Sequence, residues 1–485
     1  MSLAHLQPTT LWSIFEKLNA CPRPSSHEQK VMSEIAAFCD QHQLHYVYDD
    51  IGNMIIRKPA TPGMEDRPGI IMQGHVDMVP QKTKNSEHDF INDPIQMYID
   101  GDWVTAKDTT LGADNGIGVA AALAILIEPD LQHGPLEVLL TVDEESGMTG
   151  AKHLAPNLLQ GSVLLNLDTE DEGELYLGCA GGVDVTAYVP LQKQPVPNNW
   201  SAVKVNFSGL RGGHSGLDID KGRANANLLI NQVLANAHAH FGALGFSFSG
   251  GTLRNAIARD ASVEMVLPAD KVAELTSVIE TFTETLSQQF QGIESAINGE
   301  IQAIPIPSEV WDEATTARVI SMLDHCVHGV TKMSEVFDGV VETSNNLAVI
   351  ETQPEQLVIQ CMVRSLNNQG RDELAQQLQQ GLSQLGATVE CSGEYPGWLP
   401  NDESKVLTIM QQAHEELTGA AAKVKVIHAG LECGLLSEHY PHWDMISFGP
   451  TIRHAHSPDE KVLIPSVSSF WQLLCKTICM VSEKY

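Results

Sequence analysis

Positive charge is the first scarcity. Lys and Arg number 29 against 61 Asp and Glu, leaving a formal net charge of −32. Phosphate backbones and anionic bilayers need cationic side chains to neutralise them, so no nucleic acid and no membrane partner is expected. The plainest consequence of the imbalance is solubility, and it also suits a protein that collects cations. Long apolar runs are missing too: no stretch approaches the ~20 apolar residues that cross a bilayer. The first residues, "MSLAHLQPTTLWSIFEKL", have neither the basic start nor the apolar middle of a secretion signal, which favours a cytoplasmic protein. Cysteine usage agrees. The nine thiols are scattered, odd in number and without a C-x-x-C pair. Cys475 and Cys479, four apart on an expected helix, read as core thiols rather than a bridge.

What is present is ample core material. The chain has 485 residues, 43% of them hydrophobic, and its length suggests more than one domain. The first part alternates helix and strand. "SSHEQKVMSEIAAFCDQHQ" opens with a capping-box pattern, Ser25 to Glu28, and continues as an amphipathic helix. Apolar strands are expected at "NMIIRKP", "GIIMQGHVD", "LEVLLTVD" and "SVLLNLD", with a buried helix at "DNGIGVAAALAILIEP". The same alternation returns in "AAKVKVIHAG", "DMISFGP" and a final helix. This order predicts a mixed-sheet α/β/α sandwich over 1–181 and 396–485.

The segment 182–395 differs. Glycine- and turn-rich stretches at 178–184 and 393–400 bracket it. Inside it, helix, strand pair and helix occur twice, and the strand pairs share T-x-x-N, at Thr252 and Asn255 and again at Thr343 and Asn346. We expect an inserted α+β domain of two similar halves, the second spanning roughly 300–395.

The polar residues at the ends of the apolar elements carry the chemistry. "GHVDMVP" places His75 and Asp77 two apart at a strand end, where i and i+2 share a face. "TTLGADNG" places Asp114 before the buried helix, where an N-cap is the alternative use. "LLTVDEESG" ends in Asp143, Glu144 and Glu145, "LLNLDTEDEG" brings Asp168, and "FGPTIRHAHSPDE" brings His454 and His456. In open α/β sheets, ligands gather outside the carboxyl ends of strands. Carboxylates crowded there repel one another and are costly to bury unless cations join them. A nitrogen and oxygen set without thiolates suits Zn2+, with Co2+ or Mn2+ as substitutes.

Together, "GHVDMVP", "TTLGADNG", "VDEESG", "LLNLDTEDEGE" and "AHSPDE" resemble, in order, the motifs of the dinuclear zinc exopeptidases that include carboxypeptidase G and the carnosinases. "KPATPGMEDRPGI", "DPIQMYIDGDWV" and "HGPLEVLLT" extend the likeness over most of the chain. The resemblance implies two Zn2+ per chain. Asp114 would bridge them, His75 and Asp168 would complete one position, and Glu145 and His456 the other. It implies Glu144 as general base and Asp77 as the orienter of His75, and it favours His456 over His454 as the ligand. It also implies a cis peptide between Asp114 and Asn115. The insert resembles a lid, with His214 of "LRGGHSG" on the tetrahedral oxyanion, Asn255 and Arg364 on the substrate carboxylate and backbone, and Gly430 and Glu432 in a pocket loop. The implied activity is hydrolysis of Xaa-His dipeptides, carnosine-like, by metal-activated water. A broad-specificity dipeptidase or an N-acyl-amino-acid deacylase of the same chemistry is the alternative, and a non-catalytic metal-dependent peptide-binding protein a further one. The expected partner is a small dipeptide, and a homodimer would leave each chain's active site self-contained.

Overall fold

A computed structural model of the chain describes residues 3, 5–294, 296–401 and 403–485. The chain divides into two compact units, Met1–Cys179 with Trp398–Val426 and Leu431–Tyr485, and Ala180–Gly397 with Ile427–Gly430. Residues 427–430 group with the second unit, although the expected boundaries assign them to the last segment. The cause is local: Ala180 donates its N–H to the carbonyls of Ile427 and Ala429 (3.0 and 3.1 Å), and Ser344 Oγ lies 2.8 Å from His428 Nε2.

The first unit is built on an eight-stranded mixed sheet. Its centre is parallel: Ile70–His75 lies between Leu136–Thr141 and Val163–Asn166, and Asp444–Ser447 continues beside Val163–Asn166. These strands are buried on both faces. Ile70 and Met72 join the main apolar core, yet Ile71, which points the other way, is also fully buried. Continuous apolar runs such as "GIIMQG" are what such two-sided burial requires. Against the core face packs Ala113–Ile127, whose run of alanines permits close approach to the sheet.

The final helix, Ile464–Lys484, qualifies the expectation about bilayer spans. At 21 residues and a mean hydropathy of 1.2, it is long and apolar enough to cross a membrane. Val467, Phe470, Leu474, Ile478 and Val481 instead sit in the first unit's core. That is the apolar stripe of a long amphipathic core helix. Cys475 and Cys479, on the same helix, are free thiols.

The second unit carries a nine-stranded antiparallel sheet. Helix Ala226–Phe241, strands Leu244–Gly250 and Ala261–Pro268, and helix Val272–Gln289 repeat as Glu313–His325, Val341–Thr352, Gln356–Ser365 and Asn368–Gln384. The two sets meet where Leu244–Gly250 pairs with Val341–Thr352. Outward from this seam run Ala261–Pro268, Trp200–Ser208 and Asn298–Ile304 on one side, and Gln356–Ser365, Gly181–Pro190 and Thr388–Tyr395 on the other. The second half therefore takes in Gly181–Pro190, the first strand of the unit, and is not confined to 300–395. The T-x-x-N match is also corrected. Thr343 and Asn346 lie in a strand, but Thr252 and Asn255 lie in the turn after Leu244–Gly250, which opens at Gly251 with φ +69. Asn346 Nδ2 donates to the carbonyls of Arg254 and Ala256 at 3.0 and 2.8 Å, so one copy of the motif fastens the loop that contains the other.

Candidate metal centre

His75 is the last residue of its strand and is 1% exposed. Asp77 lies beyond the strand end, so strand parity does not align the two. The turn does: Asp77 Oδ1 lies 3.3 Å from His75 Nδ1. The same carboxylate accepts the N–H groups of Glu144 and Glu145 (3.0 and 3.2 Å) and the Ser25 hydroxyl (2.8 Å). Asp77 thus ties the His75 ring to the acid pair. The expected capping box does not form. Ser25 turns to Asp77, and Glu28 Oε1 accepts the N–H groups of Ser26 and Asp143, so both residues serve the loops around the acids.

Glu144 and Glu145 open the short helix Glu144–Gly147. Asp168 follows strand Val163–Asn166 by two residues. Asp114 does not cap its helix. Gly112 occupies the N-cap position, Asp114 has non-helical angles inside the first turn, and the Asp114–Asn115 peptide is cis. His454 and His456 lie past strand Ile452–Arg453, in the turn that follows it. His456 reaches the acids.

The side chains converge. His75 Nε2 lies 3.1 Å from Asp114 Oδ1 and 3.3 Å from Asp168 Oδ1. His456 Nε2 lies 3.2 Å from Asp114 Oδ2 and 3.0 Å from Glu145 Oε2. Each Asp114 oxygen therefore faces its own imidazole. His75, Asp114 and Asp168 form one group of ligand atoms within 4.8 Å of one another, and Asp114, Glu145 and His456 form another. Glu144 joins His75 and Glu145 in an overlapping group.

The electrostatics follow from crowding. Burial opposes ionisation of Asp114, but His456 and His75 hold it well below the usual carboxylate range. Burial pushes Asp168 up to about 7 despite His75, with Asp114 and Glu145 adding to the rise. Asp114 and Glu145 lift His456 to about 11. Burial also raises the Glu144 carboxyl well above its ordinary value, against the pull of His75. Two oxygens of the cluster, Glu145 Oε1 and Asp168 Oδ1, are fully buried without a hydrogen-bond partner; the single Nε2–H of His75 cannot serve both Asp114 and Asp168. Orphaned oxygens among like charges fit a divalent cation, and the mixed nitrogen and oxygen donors fit the zinc class of ions.

The sequence profile of peptidase family M20/M25/M40 matches residues 71–479. The chain belongs to this family. It is a hydrolase of the metallopeptidase class. The cytosol non-specific dipeptidase of Escherichia coli (strain K12) is 42% identical over 482 residues, which cover 99% of each chain. The crystal structure of the aminoacylhistidine dipeptidase from Vibrio alginolyticus matches at 44% identity and a TM-score of 0.89, over 99% of this chain and 98% of that one. Human carnosine dipeptidase 1 matches at 12% identity and a TM-score of 0.53, over 98% and 97%, and shares the fold. The expected combination of a mixed α/β domain with an inserted lid is the architecture of these peptidases.

The remaining expected residues are not members of these ligand groups. Glu432 is 0% exposed, and its Oε2 accepts from Gln73 Nε2 (2.6 Å) and Thr141 Oγ1 (2.7 Å). It therefore sits in a polar network under the strand ends and not on a pocket wall, because it opens helix Glu432–His439 with its side chain turned into the sheet. Gly430 belongs to the second unit. There, His214, Asn255 and Arg364 gather around Ser215, whose N–H bonds the Asn255 carbonyl at 2.8 Å and whose hydroxyl accepts from Arg364 Nε at 3.2 Å. Arg364 also donates to the Tyr395 hydroxyl at 2.7 Å and is 4% exposed.

Sequence reasoning missed Arg23, Gln73 and Asn166, and it gave no role to Glu460. Asn166 Nδ2 donates to Gln73 Oε1, and Gln73 donates to Glu432, making a buried polar chain across adjacent strands. The signal was present: a Gln and an Asn inside otherwise apolar strands are expected to be paired.

Proposed function

We propose that the chain is a cytoplasmic dipeptidase working with about two divalent cations, Zn2+ first, and that Xaa-His dipeptides are among its substrates. The observation that carries this reading is Asp114, with one imidazole on each carboxylate oxygen. His75 and Asp168 would hold one ion, Glu145 and His456 the other, with Asp114 shared. Such a pair of ions polarises a carbonyl and makes water a nucleophile near neutral pH. The chain supplies the rest. Asp77 orients His75 and, through two N–H groups, the acid pair. Glu144 takes the proton of the attacking water and delivers it to the leaving amine, a task that suits a carboxyl raised by burial.

His214 is the proposed oxyanion donor. Its Nδ1 accepts the N–H groups of Gly216 and Leu217, both at 3.1 Å, which assigns the ring proton to Nε2. His214→Ala should therefore retain bound metal and lose about 10²–10³ in kcat, the range for removing one oxyanion donor. Two halves within one second unit also support a site that each chain completes alone. Mixing His214→Ala with Glu144→Gln chains, with subunit exchange confirmed by labels, should then restore no activity; substantial recovery would mean a shared site.

One relative is named a non-specific dipeptidase and another an aminoacylhistidine dipeptidase, which supports a specificity that includes histidine dipeptides. The test is hydrolysis by metal-defined enzyme of a matched set: β-alanyl-histidine, Xaa-His, the corresponding dipeptides without histidine, and N-acetyl amino acids. Cleavage across the dipeptides, including Xaa-His, is the expected result. Turnover of the N-acetyl series alone would make the protein a deacylase, and no turnover of any member would remove the enzymatic reading.

A further inference from the structure

Two buried charged side chains outside the ligand set hold the ligands' backbone. Glu460 is 2% exposed and accepts four consecutive N–H groups: Leu111 and Gly112 on Oε2 at 2.7 and 3.0 Å, Ala113 and Asp114 on Oε1 at 2.7 and 3.3 Å. Its own backbone is anchored, since Thr105 donates to the Glu460 carbonyl at 2.7 Å and the next residues, Lys461–Leu463, pair with strand Trp103–Ala106. Glu460 is joined to His456 by a short turn in which Ser457 N–H bonds His454 and Glu460 N–H bonds Ser457. The segment that delivers His456 and the loop that delivers Asp114 are thus clamped together by one carboxylate.

Arg23 makes the matching clamp on the other side. It is 2% exposed. Nη2 donates to the Gly112 carbonyl and Asn19 Oδ1 at 2.5 and 3.0 Å, and Nη1 to the carbonyls of Val76 and Asp77 at 2.9 and 3.2 Å. The peptide stretch after His75 is thereby joined to the loop before Asp114. The cradle is shaped for the guanidinium: a Cβ on Gly112 would lie 2.5 Å from Nη2, and one on Gly116 2.6 Å from it. Gly112 is held at both ends, its N–H by Glu460 and its carbonyl by Arg23.

Mutual repulsion among Asp114, Glu145 and Asp168 opposes their convergence, and a ligand set tolerates displacements of only about 0.5 Å. We propose that Arg23 and Glu460 are positioning residues that hold the Asp114 loop in register with His75 and His456 before a cation binds, and so set metal affinity, Glu460 chiefly at the Asp114–Glu145–His456 position. This rests on the two-cation reading above. Glu460→Gln keeps the size but replaces one acceptor by an N–H2 that faces backbone donors. Arg23→Lys keeps the charge but loses the fork that spans Gly112 and Val76.

The experiment is titration of metal-free protein with Zn2+ against a competing chelator, paired with the visible spectrum of the Co2+-loaded form. Wild-type protein should take about two equivalents; a single equivalent would remove the two-cation reading itself, and the position-specific claim with it. With two in the wild type, Glu460→Gln should bind one of them at least about tenfold more weakly, within the ~10–100-fold range for residues supporting metal ligands, and shift the Co2+ spectrum. The KM for a dipeptide at saturating metal should stay within about twofold while kcat falls, because the substrate contacts are untouched. Glu460→Asp, which keeps a carboxylate and is expected to fold if Gln does not, should recover part of the affinity. Arg23→Lys should weaken binding independently. Any of these variants with wild-type circular dichroism, wild-type affinity for both equivalents and an unchanged Co2+ spectrum would overturn the proposal, because a side chain that only stabilised the fold would move the melting temperature alone.

Discussion

Glu144→Gln should leave a folded protein that holds its full complement of metal and has lost about 10²–10⁴ in kcat, the contribution general acid–base catalysis makes. The substitution preserves shape and removes the proton acceptor. Its backbone N–H would keep the bond to Asp77, so the helix start at Glu144–Gly147 should not move. Glu145→Gln tests the assignment from the other side. Glu145 Oε2 faces His456 at 3.0 Å, and its Oε1 is an orphaned buried oxygen, the profile of a ligand. Its amide should therefore lower metal occupancy, and added Zn2+ should restore part of the activity. Metal content by elemental analysis and kcat at saturating substrate separate the two. Metal loss in Glu144→Gln with full occupancy in Glu145→Gln would reverse the roles of the pair.

The candidate cluster was legible because metal chemistry restricts the residue types. Few structural needs would put His75, Asp168, Glu144 and Glu145 at the mouths of apolar strands, and these elements do bring them together in overlapping groups. The reasons behind individual placements were less legible. His75 and Asp77 seemed to share a strand face, whereas the strand stops at His75 and a turn brings Asp77 back. Ser25 and Glu28 have the spacing of a helix cap, and local spacing cannot reveal that Asp77 and Asp143, distant in sequence, compete for the same hydrogen bonds. The repeat in the second unit was visible as an order of elements, but the strand Gly181–Pro190, which completes the second half, comes first in the chain. Arg23 and Glu460 act on backbone atoms, and a carbonyl or N–H carries no letter in a sequence. A buried arginine beside a proline-rich turn is recognisable only once Gly112 and Val76 are seen beside it.

Asp114→Ala should have the broadest effect of any single ligand change. In the two proposed positions every other ligand serves one ion, but Asp114 offers Oδ1 beside His75 and Oδ2 beside His456, so its loss removes a donor from both. Each proposed position would fall to two protein ligands, below the three that catalytic zinc sites ordinarily use. Stoichiometry in Asp114→Ala should drop from about two equivalents toward zero. In His456→Ala only the group with Glu145 is depleted, and about one equivalent should remain. Thermal unfolding gives an independent measure. A ligand that binds only the folded state adds about 2.7 kcal/mol at a concentration of 100 Kd, so Zn2+ should raise the melting temperature of wild-type protein and leave that of Asp114→Ala nearly unchanged. The metal-free variant itself need not be less stable, because removing one of several crowded carboxylates relieves repulsion that burial has intensified. Retention of both equivalents by Asp114→Ala, with wild-type stabilisation by Zn2+, would mean that Asp114 is not shared and that the two groups of ligands do not form a joined centre.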